Sequence, residues 1–327
     1  MAPDRKSKGR TDIDVRYRSL LQKAARRGNT DLVYTTSAWI ESLGQKEKNR
    51  YTSHAAIITF EECWPLGAQL AFNKRFHSKV AALVKVAGST KARDASALGR
   101  LAYALWKGDR SVLNDSADDK HIIILANALE RPKDFWKWVD SQISNAQQQN
   151  LIKNTIKYRN KGALKDRAVL QAAAYLSVTV GLPEIKPTGP IAQKFPYWIA
   201  FDRHTPEGLA VVRDIARDLH MPVKQLEWAC FFFEASRCNA EIPSTWWERQ
   251  CDWQFQKIGI PMQEAHLLWE PTKPQIIQAL TDDSRRLQNE LYKWKISNLE
   301  RVDSLKKQVE IFCEHIDNLK GDQQNLF

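Results

Sequence analysis

Apolar residues recur at intervals of three and four along most of the chain, which is the spacing of a helix with one buried face. Tyr17, Leu20, Leu21 and Ala24 show it first, within residues 16–27. The same spacing predicts further helices at residues 30–43, 52–62, 68–86, 94–106, 118–129 and 132–143, and helices that begin at residues 205, 222 and 244. The short apolar runs at 178–182 and 195–201 neither alternate cleanly nor have a hairpin partner. The sequence therefore predicts an all-α fold with a multi-helix body.

The stretch GLPEIKPTGPIAQKFP predicts a linker, because it holds four prolines and two glycines. We place a domain boundary there. The expected parts are a disordered basic arm at 1–15, an N-terminal helical domain at 16–182, a second helical domain at 183–272 and a long C-terminal helix at 273–327.

Composition excludes several classes of protein. A hydrophobic content of 43% is that of a globular protein, and no apolar run is long enough to cross a bilayer, so we expect no membrane partner. The basic N-terminus has no apolar stretch behind it, which argues against a secretory signal. The five cysteines are widely spread without a CxxC pair, so we expect reduced thiols in a cytoplasmic protein.

Motifs of common enzymes are missing from the sequence. It contains no GxxxxGK[ST] or GxGxxG phosphate loop and neither HExxH nor GxSxG. These absences disfavour an ATPase, a dinucleotide enzyme and the common hydrolases. We therefore expect no catalytic residues, no cofactor and no metal.

A formal net charge of +11 favours nucleic acid as a partner. The first candidate phosphate contacts are Arg26 and Arg27, at the corner between the first two helices. The alternative is structural: the two arginines complement a helix C-terminus, Gly28 adopts the left-handed conformation, and Asn29 or Thr30 caps the next helix.

A second basic stretch, LIKNTIKYRNKGALKDR, predicts a surface that follows phosphates with Tyr158 as a stacking side chain. Lys153, Lys157 and Lys161 are four apart and would share one helix face. The candidates here are Lys153, Lys157, Arg159, Lys161, Lys165 and Arg167. The alternative is a solvated helix face without a ligand.

The opening LLQKAARRGNTDLVYTTSAWIES resembles the helical collar domain of clamp-loader-type AAA+ ATPases of the RarA/MgsA type. In that family a helix ends in a short basic-glycine turn, and an acidic position with LY or VY begins the next. FEECWPLG and FDRHTPEG are similar to further family segments, and the resemblance covers mainly residues 16–66. It implies a chain that keeps the assembly and DNA-adjacent part of such a protein without its ATPase modules.

The segment FDRHTPEG offers an enzymatic alternative through Asp202, His204 and Glu207. These three could form an acid–base or metal cluster, but they do not share one clear helical spacing. A simpler interpretation is a helix start, with Thr205 as cap, Pro206 at the first position and Glu207 in the first turn.

The C-terminal region carries a heptad-like apolar stripe, which predicts one helix of about 40 residues. That stripe must lie on the body or meet a second copy. We favour self-association, because the prolines of EPTKP would let the helix project and Asn298 would fix the register, although the uneven spacing at Val302 argues for the body. Trp246 and Trp253 are expected in the core, and the predicted partner interface is Trp247, Leu287, Leu291, Trp294, Leu305 and Phe312.

Together these features predict a non-catalytic, DNA-associated accessory or assembly protein that acts in replication, repair or a mobile-element process. Its expected partners are DNA, bound without sequence preference, and a protein partner or a second copy. Two alternatives remain open: a helical enzyme that acts on nucleic acid, and an oligomeric scaffold that binds no nucleic acid.

Overall fold

The structure is a computed structural model that describes residues 15–69, 75–159, 163–189, 206–236 and 240–324. Within these ranges the chain is all-α, as the spacing of apolar residues predicts, and its only β-type contacts are isolated bridges. None of the helices in this part of the chain is long and apolar enough to cross a membrane.

The first nine α-helices build the larger part of the body. They are α1 (Val15–Arg26), α2 (Thr30–Ser42), α3 (Gln45–Cys63), α4 (Phe76–Ala87), α5 (Asp94–Trp106), α6 (Asp119–Glu130), α7 (Pro132–Ser141), α8 (Ala146–Tyr158) and α9 (Leu164–Thr179). The helix predicted at 68–86 differs, because a 3₁₀ segment runs from Trp64 to Gln69 and α4 starts only at Phe76.

Five further helices follow: α10 (Pro206–Asp218), α11 (Val223–Cys230), α12 (Thr245–Lys257), α13 (Ala265–Ser297) and α14 (Leu299–Gln324). A π-helical turn, Phe231–Ser236, continues directly from α11. Pro206 takes the first position of α10, as predicted from its fixed φ and missing donor.

The corner between α1 and α2 has the geometry that its sequence predicts. Gly28 adopts a φ of 75°, which a residue without a Cβ reaches at little cost. The Asn29 side chain accepts a hydrogen bond from the backbone N–H of Leu32 at 3.0 Å and so caps α2. The apolar face of α1, with Leu20 and Leu21 fully buried, packs into the main core.

Helices α5 and α9 pack closely against each other in the middle of this core. A Cβ built on Gly99 of α5 would lie 2.7 Å from the backbone N and Cα of Val169 in α9. Only glycine therefore permits this separation of the two helices.

The loop between α4 and α5 joins three distant segments through its backbone. The N–H of Thr90 donates to the carbonyl of Lys186 at 2.9 Å, and the N–H of Lys91 donates to Ala240 at 2.7 Å. The N–H of Ala92 donates to Glu62 at 3.1 Å. Lys91 is buried, and its ammonium donates to carbonyls at the end of α4, including Val86 at 2.7 Å, where the helix leaves acceptors without intrahelical partners.

Helix α12 lies on α5, so segments from both sides of the predicted linker are packed together. Trp253 belongs to the main core, and its indole N–H donates to the Ser111 hydroxyl at 3.1 Å. Smaller clusters join α10, α11 and α13, and α11, α12 and the start of α13. The domain boundary at residue 183 stays a prediction. If the chain is divided there, the contacts between α5 and α12 lie between the two parts.

The single long C-terminal helix is not confirmed. Helix α13 ends at Ser297, Asn298 takes φ −136° and ψ 29°, and a separate helix starts at Leu299. Asn298 thus ends a helix. We expected it instead to lie within one long helix and to fix the register of its pairing with a second copy. Its side-chain N–H₂ donates to the carbonyl of Trp294 at 2.8 Å.

The prolines of EPTKP do not interrupt α13, contrary to expectation. Pro271 and Pro274 both lie inside the helix, although each lacks the N–H of an intrahelical hydrogen bond. Trp269 and Ile276 on either side of them are buried against α10 and α11. That packing holds the helix continuous through both prolines.

Candidate functional site

An open cavity of about 670 Å³ lies between α1, α3, α5, α9, α11 and α12. Seven basic side chains line it against two acidic ones. The basic side chains are Arg18, Lys23, Arg26, Arg100, Lys107, Lys165 and Lys257. The acidic side chains are Glu61 and Asp109.

Helix α1 supplies its polar side to the cavity. Arg18, Gln22 and Arg26 are four residues apart, so they lie in one row beside the apolar face of the helix. Arg26 forms a two-pronged ion pair with Glu62 of α3, in which its Nε donates to Oε2 at 2.8 Å. Burial alone would raise the pKa of Glu62, but the guanidinium of Arg26 lowers it to about 2.

Both acidic residues that line the cavity are already engaged by cations. Arg100 lies 3.5 Å from Glu61 and Gln22 donates to the same carboxylate at 2.9 Å. Burial raises the pKa of Glu61, while Arg100 acts in the opposite direction. Asp109 accepts a hydrogen bond from Lys257, and the ammonium of Lys257 also lies 4.6 Å from the ring centre of Trp253.

Three cations of the cavity have no carboxylate within ion-pair distance among the described residues: Arg18, Lys107 and Lys165. Lys107 and Lys165 are exposed and Arg18 is half-buried. They approach from α1, from the end of α5 and from the start of α9. Their charges converge on one space, so the cavity attracts anions.

Among the polar side-chain atoms of the wall, Nε2 of His54 on α3 and Oε1 of Gln250 on α12 have no hydrogen-bond partner in the described part of the chain. Gln250 is only 2% exposed. Burial and the positive charge of Arg18 lower the pKa of His54, so the ring is neutral at neutral pH. Such atoms cost free energy when they are buried without a partner.

The predicted corner residues point into the protein. Arg26 is buried on Glu62, as described above. Arg27 donates to the backbone carbonyl of Glu234 in the π-helical turn and lies 3.7 Å from its carboxylate. The corner thus joins α1 to α3 and to the turn after α11, which matches the structural alternative for this sequence.

The second basic stretch is divided by the fold. Lys153 is exposed on α8, and the ammonium of Lys157 lies 5.5 Å from the ring centre of Tyr158. Tyr158 itself is buried, so it presents no open ring face for stacking. Lys161 lies outside the described residues. Of the described residues in this stretch, Lys165 is the candidate that reaches the cationic cavity.

Arg159 and Arg167 line a smaller recess of about 250 Å³ beside Trp136. The guanidinium carbon of Arg159 lies 5.6 Å from the Trp136 ring centre. Nε of Arg167 and Oε1 of Gln171 are buried there without a hydrogen-bond partner among the described residues. Helix α9 therefore separates two basic recesses, because Lys165 faces one and Arg167 the other.

The predicted partner interface is largely covered by the chain itself. Leu291 and Leu305 are buried in the main core. Trp294 lies 5.2 Å from Trp39 between ring centres, and Phe312 lies 5.5 Å from His77. The side chain of Leu287 lies outside the described residues.

Trp247, the remaining predicted interface residue, is half-buried under Arg93, whose guanidinium carbon lies 3.8 Å from the ring centre. The body covers the described part of the stripe through α2 and α4, so this part needs no second copy to be buried. Burial of the stripe is the main argument for self-association, and the body already provides that burial for the described residues.

Asp202 and His204 lie outside the described residues, as does the side chain of Glu207. Among the residues that the structure does describe, no group of three His, Cys, Asp or Glu side chains is placed to hold a metal ion. The enzymatic alternative therefore stays a prediction.

Sequence reasoning missed most of the cavity. It did not select Arg18, Lys107, His54 or Gln250. A local signal existed on each helix, since polar residues at three- and four-residue intervals flank the apolar face, as in Gln250, Gln254 and Lys257 of α12. That signal does not say which helices meet.

Comparisons with the models of known protein families, with curated proteins and with solved structures give no match to this chain. The resemblance to clamp-loader collar domains therefore stays a prediction. The function has to be argued from the cavity.

Proposed function

We propose that the protein is a non-catalytic nucleic-acid-binding accessory protein that holds DNA through its phosphates at the cationic cavity, without sequence preference. The observation that carries the proposal is the convergence of Arg18, Lys107 and Lys165 on one cavity whose two acids are already engaged. Such a surplus of positive charge favours a phosphate backbone as the ligand, because binding neutralises the phosphates and releases their condensed counterions.

An aromatic side chain in the same wall supports nucleic acid over a simple anion. Tyr103 lines the cavity beside the cations and is only half-buried, whereas the ring of Trp253 is buried with the ammonium of Lys257 over it. Base stacking on such a ring is tolerant of sequence, since every base has a π-face. The resemblance of residues 16–66 to clamp-loader collars is consistent with this class and suggests a role in replication, repair or a mobile-element process.

The test is a salt titration of binding to a labelled single-stranded oligonucleotide, measured by fluorescence anisotropy. The wild-type protein should bind at low salt and lose affinity steeply as salt rises. Changing Lys107→Gln together with Lys165→Gln should weaken binding and lower the log–log salt slope by about 1 for each lysine removed.

A matched control removes the same charge elsewhere. Lys293 and Lys307 are exposed on α13 and α14 and do not line the cavity. Lys293→Gln with Lys307→Gln should leave the slope close to the wild-type value. No binding at low salt contradicts the proposal, and so does an equal loss of affinity in both double variants.

A further inference from the structure

The cavity has features that the internal nucleotides of a nucleic-acid strand would not use. Its volume of about 670 Å³ lies within the range of roughly 300–1,000 Å³ that is typical of small-molecule sites. A site that only follows the backbone needs an open positive groove, whereas this one is recessed between six helices. The recess suits a group that can enter it end-on.

The charges favour a doubly charged group. An internal phosphodiester carries one negative charge, whereas a phosphomonoester carries about −1.5 to −2 near neutral pH and three acceptor oxygens. Arg18, Lys107 and Lys165 bring three positive charges without carboxylate partners among the described residues. A terminal phosphate matches that surplus better than a single diester does.

The two unsatisfied atoms restrict the ligand further. His54 contacts the backbone carbonyl of Arg18, and since Nε2 has no partner, the contact uses Nδ1. In the neutral ring Nε2 is then an acceptor, so it cannot pair with an unprotonated phosphate oxygen and requires an N–H or O–H donor. Oε1 of Gln250 accepts hydrogen bonds and cannot pair with an unprotonated phosphate, so it requires an N–H or O–H from the same ligand.

We propose that the cavity binds a nucleoside phosphomonoester, the group found at the phosphorylated end of a strand, with the phosphate at the cations and base or sugar donors at His54 and Gln250. The inference rests on the proposed function, because it treats the strand end as the part of the nucleic acid that enters the cavity. Tyr103, which is half-buried in the wall of the cavity, offers an aromatic face for the base.

The experiment compares three labelled oligonucleotides of one sequence: with a 5′-phosphate, with a 3′-phosphate and with neither. Affinity should be roughly tenfold higher for one phosphorylated end, as expected for a few charge-assisted hydrogen bonds. A free nucleoside monophosphate should compete with that preferred strand. Inorganic phosphate at the same ionic strength should compete far less, because it lacks the base and sugar of the nucleotide.

Two variants test the assignment of atoms. Gln250→Met removes an oxygen that has no hydrogen-bond partner among the described residues, and His54→Phe removes such a nitrogen together with the contact to the Arg18 carbonyl. Circular dichroism should confirm that both variants retain the fold. Each should reduce the preference for the phosphorylated end severalfold while the salt slope for the unphosphorylated strand stays unchanged. Gln256→Met, on the exposed side of α12, is the matched control and should keep the preference.

The outcomes separate the two proposals. Equal affinity for all three strands with an intact salt dependence overturns the end site and leaves the proposed function standing. Binding of no strand overturns both. Competition by inorganic phosphate as effective as by the nucleotide, or a preference that survives in both cavity variants, also overturns the end site.

Discussion

The ion pair between Arg26 and Glu62 joins α1 to α3 where both side chains are buried, 9% and 1% exposed. Burying either charge without the other would be unfavourable, because the charge would lose its hydration and gain no compensating ion pair. Gln22 also donates to Glu62, at 2.8 Å, so the carboxylate is held by two residues of the same helix. This small network holds α1 against α3, two of the helices that line the cavity.

We expect Arg26→Met to lower the free energy of unfolding by about 3–5 kcal/mol, because it leaves the Glu62 carboxylate buried without its cation. Urea denaturation followed by circular dichroism measures the change. Arg131→Met breaks a pair with Asp134 whose partners are 76% and 63% exposed, and it should cost at most about 1 kcal/mol. Similar losses in the two variants would mean that burial of the first pair contributes nothing.

Glu62 also predicts how stability depends on pH. Its pKa is 4.5 in the reference state and about 2 in the folded chain, so the folded protein binds this proton less readily. The stabilisation is therefore complete above pH 4.5 and is lost as the pH falls towards 2. Urea midpoints across that range should fall less steeply in Glu62→Gln than in the wild type. Parallel curves would contradict the lowered pKa.

At the scale of the elements, the contact between α5 and α9 depends on one missing side chain. Gly99→Ala would place a Cβ against the backbone of Val169, so the helices must separate or bend. We expect a loss of about 1–3 kcal/mol, the usual cost of overpacking. Gly189→Ala is the control, because its Cβ would meet nothing within 4 Å. Thermal unfolding compares the two, and an unchanged midpoint in Gly99→Ala would disprove the close approach.

Helix α14 belongs to the body through Val302, Leu305 and Val309, all buried in the main core. Leu305→Ala should cost about 2–5 kcal/mol. Ile311→Ala, on the same helix but 55% exposed, should change stability by no more than about 0.5 kcal/mol. If α14 were covered by a second copy, the cost of Leu305→Ala would grow with protein concentration. We expect it to be independent of concentration.

Helix positions were largely predictable, because periodicity and capping are local. The start of α5 at Asp94, the turn at Gly28 and the cap at Asn29 follow directly from the sequence. The continuity of α13 through two prolines was not predictable, since it depends on burial of Trp269 and Ile276 against helices distant in sequence. At the two prolines, tertiary packing overrides the local propensity that would end the helix.

The candidate site was less predictable than the helices. Arg26 and Arg27 drew attention as surface cations, but their acidic partners, Glu62 and Glu234, lie 36 and 207 residues away. Lys165 was selected from its neighbours in sequence, yet its partners in the cavity come from α1 and α5. A cationic site built from many helices is a property of their packing, and composition reveals only the total charge.

At the scale of the whole molecule, the cavity links α1 with α12, so a ligand held there would contact much of the fold at once. A bound strand should therefore raise the thermal midpoint of the entire protein. The gain follows mass action and is about 2.7 kcal/mol when the free ligand is a hundred times its dissociation constant. It should shrink as salt rises, in step with affinity. A salt-insensitive rise, or a rise that persists unchanged in the Lys107→Gln/Lys165→Gln variant, would contradict binding at the cavity.

The packing of α12 on α5, and of α14 on α2 and α4, has a practical consequence. Residues 1–189 and 206–327, produced as separate polypeptides, would retain these complementary faces, including Trp253 and Leu305 on one piece and their neighbours on the other. We expect the two fragments to reassociate without a covalent link. The chain is thus a candidate for fragment complementation, in which the cavity, and anion binding with it, is restored only when both pieces meet.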